Sequence, residues 1–287
     1  MEQKIEKTQI GMLPAVVMDE IEEKIKHYVI GLLGVNVVTT GDEVQLLGSG
    51  TLIQINSKFF ILTVGHLVRK LKKYHQLGLI LVDTFAHKFV INTSVLNIIE
   101  IGNSATEVTG PDLALIILPD IHSSTIKAYK SFWNILYHKE NALKKPIIEN
   151  LNQQLWIACG FIEKWTKNME ASGAFTETKA YCCLCGPTGA EEYWTSGDFD
   201  YIKLSVLYKN RDDLPTSFGG LSGGGLWRAD LFKSKEGVIS CSTPLLLGVA
   251  YYETEIHDDF RSIRGHGWHS IYDRVLSEAL KNYDLNT

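Results

Sequence analysis

Long apolar runs are missing from this 287-residue chain, in which no uninterrupted stretch approaches the ~20 residues that span a bilayer. The opening Met1-Glu2-Gln3-Lys4-Ile5-Glu6-Lys7 leads into a charged segment without the apolar core and small-residue cleavage site of a secretory signal. No membrane partner is expected. Basic runs are scarce too: the longest is Arg69-Lys70-Leu71-Lys72-Lys73, in a chain of net charge −5, which argues against a nucleic-acid surface. Cysteine is sparse and odd in number, with three of the five in Tyr181-Cys182-Cys183-Leu184-Cys185. That usage favours free thiols in a reducing, cytoplasmic setting. Adjacent cysteines lack ligand spacing and no second pair completes a set, so Cys182 and Cys183 read as thiols buried along a strand. His266-Gly267-Trp268-His269 likewise lacks accompanying carboxylates or cysteines and reads as a loop. Neither metal nor cofactor is expected.

What the chain does have is glycine gathered in one place. Gly219-Gly220-Leu221-Ser222-Gly223-Gly224-Gly225-Leu226-Trp227 sets five glycines around one serine. Glycine reaches positive φ and admits close approach to the backbone, at an entropic cost on folding. A phosphate-binding loop would continue into Gly-Lys-Ser/Thr, and no lysine follows Gly225. A flexible linker would not be flanked by Phe218 and Leu226-Trp227. The remaining reading is a tight turn that exposes a hydroxyl and aims backbone N–H groups at one spot.

Around that turn the 45% apolar content is dealt out in short lengths. Pro14, Val17, Ile21, Ile25 and Tyr28 recur at near-helical spacing, predicting an amphipathic helix over 14–28 with the proline in its first turn. From Val29 onward, short apolar runs alternate with turn residues. Gly50–Ile55 and Lys58–Thr63 flank Asn56-Ser57 as a hairpin, and Leu79–Val82, Phe89–Ile91, Val95–Ile99 and Leu113–Leu118 read as further strands. Ile126, Tyr129, Phe132, Trp133 and Leu136 return to helical spacing and predict a helical connection over 120–150. Beyond it, Gln154–Gly160, Ala180–Leu184, Tyr201–Val206 and Pro244–Tyr251 read as strands, and Ile271, Val275, Leu276, Ala279 and Leu280 as one face of a closing helix. Helix, strands, helix, strands, helix suits an all-β fold of two barrels better than an alternating sheet. The units expected are a helical extension at 1–28, a first barrel at 29–119, the connection at 120–150, and a second barrel with the closing helix at 151–287.

Three pieces then fall into order: Ile61-Leu62-Thr63-Val64-Gly65-His66, Gly110-Pro111-Asp112-Leu113-Ala114-Leu115, and Gly220-Leu221-Ser222-Gly223-Gly224. In these motifs, their order and their spacing, residues 29–280 resemble the trypsin-like (chymotrypsin-fold) serine peptidases, in a cytoplasmic, bacterial-type form. The resemblance implies two six-stranded antiparallel β-barrels and a serine endopeptidase acting on a protein or peptide substrate through an acyl-enzyme. Ser222 would be the nucleophile, His66 its general base and Asp112 the group that orients His66, with the amides of Gly220 and Ser222 as oxyanion hole. Tyr251, Tyr252 and Glu253 would lie along extended substrate, their strand pairing with it by backbone hydrogen bonds. Counting back from Ser222 puts Thr216 at the base of the primary pocket, which implies no preference for basic residues unless Asp212 or Asp213 reaches in. Leu67 and Leu221 stand where secreted members carry a cysteine and an acid, so activation through a newly cut N-terminus is not expected. An activating protein partner is compatible with the resemblance.

Two other readings remain open: a catalytically silent module that grips peptides, and an α/β-hydrolase esterase whose Gly-x-Ser-x-Gly serine works with a later acid and histidine, drawn from His257, Asp258, Asp259, His266 and His269.

Overall fold

Residues 15–38, 41–81, 89–102, 110–144, 154–163, 181–184, 190–209 and 214–282 are described by a computed structural model of the chain. Helix α1 (Ala15–Lys26) buries Val17, Ile21 and Ile25, the four-residue repeat seen in the sequence, and leaves Glu20 and Lys24 paired on its outer face. Strands β1 (Val29–Val38), β2 (Gly41–Ile55) and β3 (Lys58–Thr63) follow. Asn56, at φ 51°, turns the two-residue β2–β3 hairpin, with Ile55 opposite Lys58. A short helix α2 (Gly65–Leu71) leads to β4 (Gln76–Ile80), β5 (Phe89–Asn92), β6 (Asn97–Ile101) and β7 (Leu113–Ile117). The first sheet runs β5-β4-β1-β2-β3-β7-β6, every neighbour antiparallel.

The connection departs from one helical run. Helices α3 (Asp120–Lys127) and α4 (Ile135–Lys144) are separated by a two-residue strand β8 (Trp133–Asn134), which pairs in parallel with Ile53-Gln54 of β2. Two of the aromatic residues that suggested helical spacing, Phe132 and Trp133, are instead taken up by packing, Phe132 edge-on to Phe59 at 4.8 Å. Trp133 lies edge-on to Tyr28 at 5.3 Å and to Trp227 at 5.2 Å, and its indole N–H donates to the Tyr272 hydroxyl at 2.9 Å. A buried indole N–H usually finds such a partner.

The second sheet contains β9 (Gln154–Gly160), β10 (Tyr181–Leu184), β11 (Ala190–Ser196), β12 (Phe199–Leu207), β13 (Gly225–Lys233), β14 (Ile239–Cys241), β15 (Leu245–Glu253) and β16 (Phe260–His266). Its order is β10-β9-β13-β15-β16-β12-β11, with β14 paired to β13. The architecture is therefore all-β, two antiparallel sheets on the chymotrypsin-like two-barrel plan. Each hydrogen-bonded path has seven strands where six are implied, plus one short strand off the path. A π-helical turn (Ser270–Val275) continues into α5 (Leu276–Asn282), burying Ile271, Tyr272, Val275, Leu276 and Ala279. Cys182 and Cys183 lie on β10, Cys182 opposite Cys159 of β9, while Cys185, Pro14, Asp212 and Asp213 fall outside the described residues. No helix among the described residues is long and apolar enough to cross a membrane.

Candidate active site

The β3–β7 pairing builds one half of the site. Thr63 lies opposite Ala114, so the residues just beyond, at the start of α2 and the start of β7, meet at one edge of the sheet. There the backbone N–H of His66 donates to Asp112 Oδ1 at 3.0 Å, while the His66 ring Nδ1 lies 2.6 Å from Asp112 Oδ2. Two contacts from one residue fix both the imidazole and the carboxylate. With Nδ1–H donating to a carboxylate, Nε2 is left as the acceptor nitrogen.

Asp112 is 1% exposed and takes a third donor, Arg69 Nη2, at 3.1 Å. Burial alone would push its carboxyl up, but the hydrogen bond and charge of His66, with the charge of Arg69, outweigh it and hold Asp112 below the usual carboxylate range. Its backbone N–H donates to His266 Nε2 at 3.0 Å. His266, read from sequence as a loop residue, ends strand β16 and is wholly buried against the rings of Tyr251 and Tyr201. Burial lowers its pKa to about 3, so the ring is neutral and can accept.

The serine turn is held from both sheets. Gly220 and Gly223 have φ of 94° and 85°, conformations that side chains with a Cβ rarely adopt. A Cβ on Gly223 would fall onto the carbonyl oxygen of Ser49 and the hydroxyl of Thr63. The Ser49 hydroxyl, on β2, donates to Gly220 O at 2.7 Å and accepts from Phe161 N at 2.8 Å. Ser49 N also donates to Ser222 O at 2.8 Å, and Thr63 Oγ1 donates to Ser49 O at 2.8 Å. From the second sheet, Gly223 N donates to Ala250 O at 2.8 Å.

The amides along the turn divide in two. Those of Gly219, Leu221, Gly223 and Gly224 donate to Ser217 Oγ, Phe218 O, Ala250 O and Leu221 O. Those of Gly220 and Ser222 have no hydrogen-bond partner among the described residues. Two unengaged amides beside a hydroxyl can receive a developing negative oxygen. The Ser222 hydroxyl itself makes a long 3.4 Å contact to Tyr251 O.

His66, Ser222 and Gly220 line one cleft of about 470 Å³, together with Tyr251, Tyr252 and Glu253 of β15. Tyr251 is buried, and burial pushes its phenol up to about 12. Glu253 is committed to structure: its carboxylate accepts from Ser217 Oγ at 2.5 Å and Phe218 N at 2.8 Å, and pairs with buried Arg261 at 2.6 Å. It thereby fastens the segment leading into the serine turn. Thr216 is exposed and is not part of the cleft lining. Of the residues an esterase elbow would draw on, His266 lies at the site but is taken up by the Asp112 N–H, while His257 pairs with Asp258 at 3.0 Å in an exposed turn and half-exposed His269 pairs with Asp273 at 2.9 Å. Among the described residues no group of three or more histidine, cysteine or acidic side chains could hold a metal ion.

No known protein family matches this chain. No curated protein matches it either. Among solved structures it is similar to the Rv3671c protease of M. tuberculosis in its active form, at 11% identity over 94% of this chain and 86% of that one, with a TM-score of 0.45. It is also similar to a chain from work on the coupled folding and binding of the Sesbania mosaic virus VPg protein, at 14% identity over 86% and 90% of the two chains, with a TM-score of 0.42.

Proposed function

We propose that the chain is a serine endopeptidase acting on protein or peptide substrates. The observation that carries this reading is that an imidazole tied through Nδ1 to a buried carboxylate shares one cleft with a serine whose own amide and that of Gly220 have no partner among the described residues. Each part answers a requirement of acyl transfer. A hydroxyl is a weak nucleophile and needs a base. His66 Nε2 takes the Ser222 proton as Oγ bonds to the scissile carbonyl carbon, and Asp112 stabilises the imidazolium so formed. The carbonyl oxygen, now negative, is received by the amides of Gly220 and Ser222. His66 then gives that proton to the leaving nitrogen as the C–N bond breaks; in the second half water, losing a proton to the same ring, bonds to the acyl carbon, the C–Oγ bond breaks, and the ring returns the proton to Ser222 Oγ. The edge of β15 at Tyr251–Glu253 supplies backbone groups for an extended substrate.

A fluorophosphonate probe tests this reading directly. It should label the unsubstituted protein at Ser222 and leave Ser222→Ala unlabelled, with peptide cleavage falling by a factor on the order of 10⁴ or more in the variant. Equal labelling or equal cleavage in the two proteins would refute it.

A further inference from the structure

Helix α2 carries more than His66. Lys70 and Lys73 stand four and seven residues further on, the spacing that keeps side chains on one face of a helix. The turn continues past Leu71, with Lys73 N donating to Lys70 O at 3.1 Å, and both lysines line the same cleft as His66 and Ser222. The other two cations of this run are already engaged. Arg69 pairs with Asp112 and with Glu100 at 3.4 Å, and Lys72 pairs with Glu100 at 2.6 Å. Lys70 and Lys73 are exposed, and among the described residues no acidic side chain lies within ion-pair reach of either. On the opposite wall Glu253 is taken up by Arg261, Ser217 and Phe218. Glu163, anchored by its backbone N–H to Gly219 O at 2.7 Å, is the other acid of the lining among the described residues.

The chemistry fixes which part of a substrate meets these lysines. His66 hands its proton to the leaving nitrogen, so the leaving half of the chain departs on the side of α2, while the acyl half lies along β15. An α-helix rises ~1.5 Å per residue, which sets Lys70 about 6 Å along α2 from His66, a distance that an extended peptide covers in about two residues. Lys73, in the turn just past the end of α2, is matched to the residue after that. We infer that Lys70 and Lys73 form a subsite for acidic side chains at the second and third residues after the cut, making the preferred substrates peptides acidic on the leaving side. This inference rests on the peptidase reading of the site.

The test is a set of internally quenched peptides identical except for Asp, Ala or Lys at those two positions. Exposed ion pairs in a groove give roughly 3- to 10-fold in kcat/KM for Asp over Ala, with Lys slower than Ala, and raising salt to about 0.5 M should shrink the spread. Lys70→Glu/Lys73→Glu should invert the order and Lys70→Gln/Lys73→Gln should flatten it, and Glu163→Gln should widen the Asp advantage. Binding of the same peptides to Ser222→Ala, followed by fluorescence anisotropy, should show the same ranking without any cleavage. Equal rates and equal binding for the three peptides, or a ranking untouched by charge reversal, would overturn the subsite. Fluorophosphonate labelling of Ser222 reports separately on the catalytic reading, so the two failures are distinguishable.

Discussion

Acidifying the solution should unfold this protein through one buried ring. His266 is wholly buried, accepts the Asp112 N–H through Nε2, and has a buried Nδ1 without a partner among the described residues. Desolvation lowers its pKa from 6.5 to about 3, offset in part by the charge of Asp112. The folded value is the depressed one, so the stability is fully present above pH 6.5 and is lost as pH falls towards 3, because only the unfolded chain takes up the proton. Each pH unit below 6.5 costs about 1.4 kcal/mol, hence about 2 kcal/mol by pH 5 and on the order of 5 kcal/mol once both states are protonated. That is a large share of the roughly 5–15 kcal/mol that holds a typical domain. Burial also lowers the pKa of His138, which adds to the loss in the same direction as pH falls. Urea unfolding followed by tryptophan fluorescence from pH 7.5 to 5 would measure it. His266→Gln keeps a carbonyl oxygen for the Asp112 N–H and removes the titration, so its stability should fall less steeply by about 1.4 kcal/mol per unit. Parallel curves for the two proteins would show that His266 is not the acid-sensitive group.

Gly223→Ala combines positive φ with a collision against Ser49 and Thr63, and should lower stability by on the order of 3 kcal/mol or more in thermal melts while abolishing fluorophosphonate labelling. A variant as stable and reactive as the parent would mean the turn is not as described. Glu253→Gln strips the partner from buried Arg261; since the Glu253 side chain is 28% exposed, a loss of about 2 kcal/mol is expected, below the range for fully buried pairs. Pairing it with Arg261→Gln should recover part of that loss, which additive losses would contradict. Asp112→Asn removes the charge facing Nδ1 and should cut the rate by about 10⁴-fold with little change in substrate binding, read from single-turnover kinetics; a rate within tenfold of the parent would remove Asp112 from the mechanism.

The parts of the fold that sequence revealed are those where one residue type dominates a face. The Lys58–Thr63 and Leu113–Ile117 strands are almost entirely buried and apolar, so their runs were visible, whereas the pairing of His66 with Asp112 was expected from the motif resemblance alone. Strand β13 was hidden because Arg228, only 1% exposed, and Asp230 interrupt its apolar pattern. Strand β16 reads Phe-Arg-Ser-Ile-Arg-Gly-His and offers neither an apolar run nor a clean alternation. His266 therefore carried no sequence signal, its role arising from a contact with a residue 154 positions away. Arg69 was visible only as one member of a basic run, and nothing in its spacing tells that it faces Asp112 while Lys70 faces the cleft. The broken connection shows a tertiary contact overruling local periodicity, since pairing of β8 with β2 wins over one more helical turn.

The bonds that tie the serine turn to its neighbours come from Ser49, whose hydroxyl in turn accepts the Phe161 N–H, and from Ala250. A ribosome delivers these residues far apart in time, and His266 arrives last of all. A nascent chain carrying His66 and Asp112, or even Ser222, still lacks the strand that receives the Gly223 amide and the ring that holds Asp112. On the peptidase reading, the site is completed only once β16 has been made, so a shorter nascent chain that already holds Ser222 is not yet competent to cut.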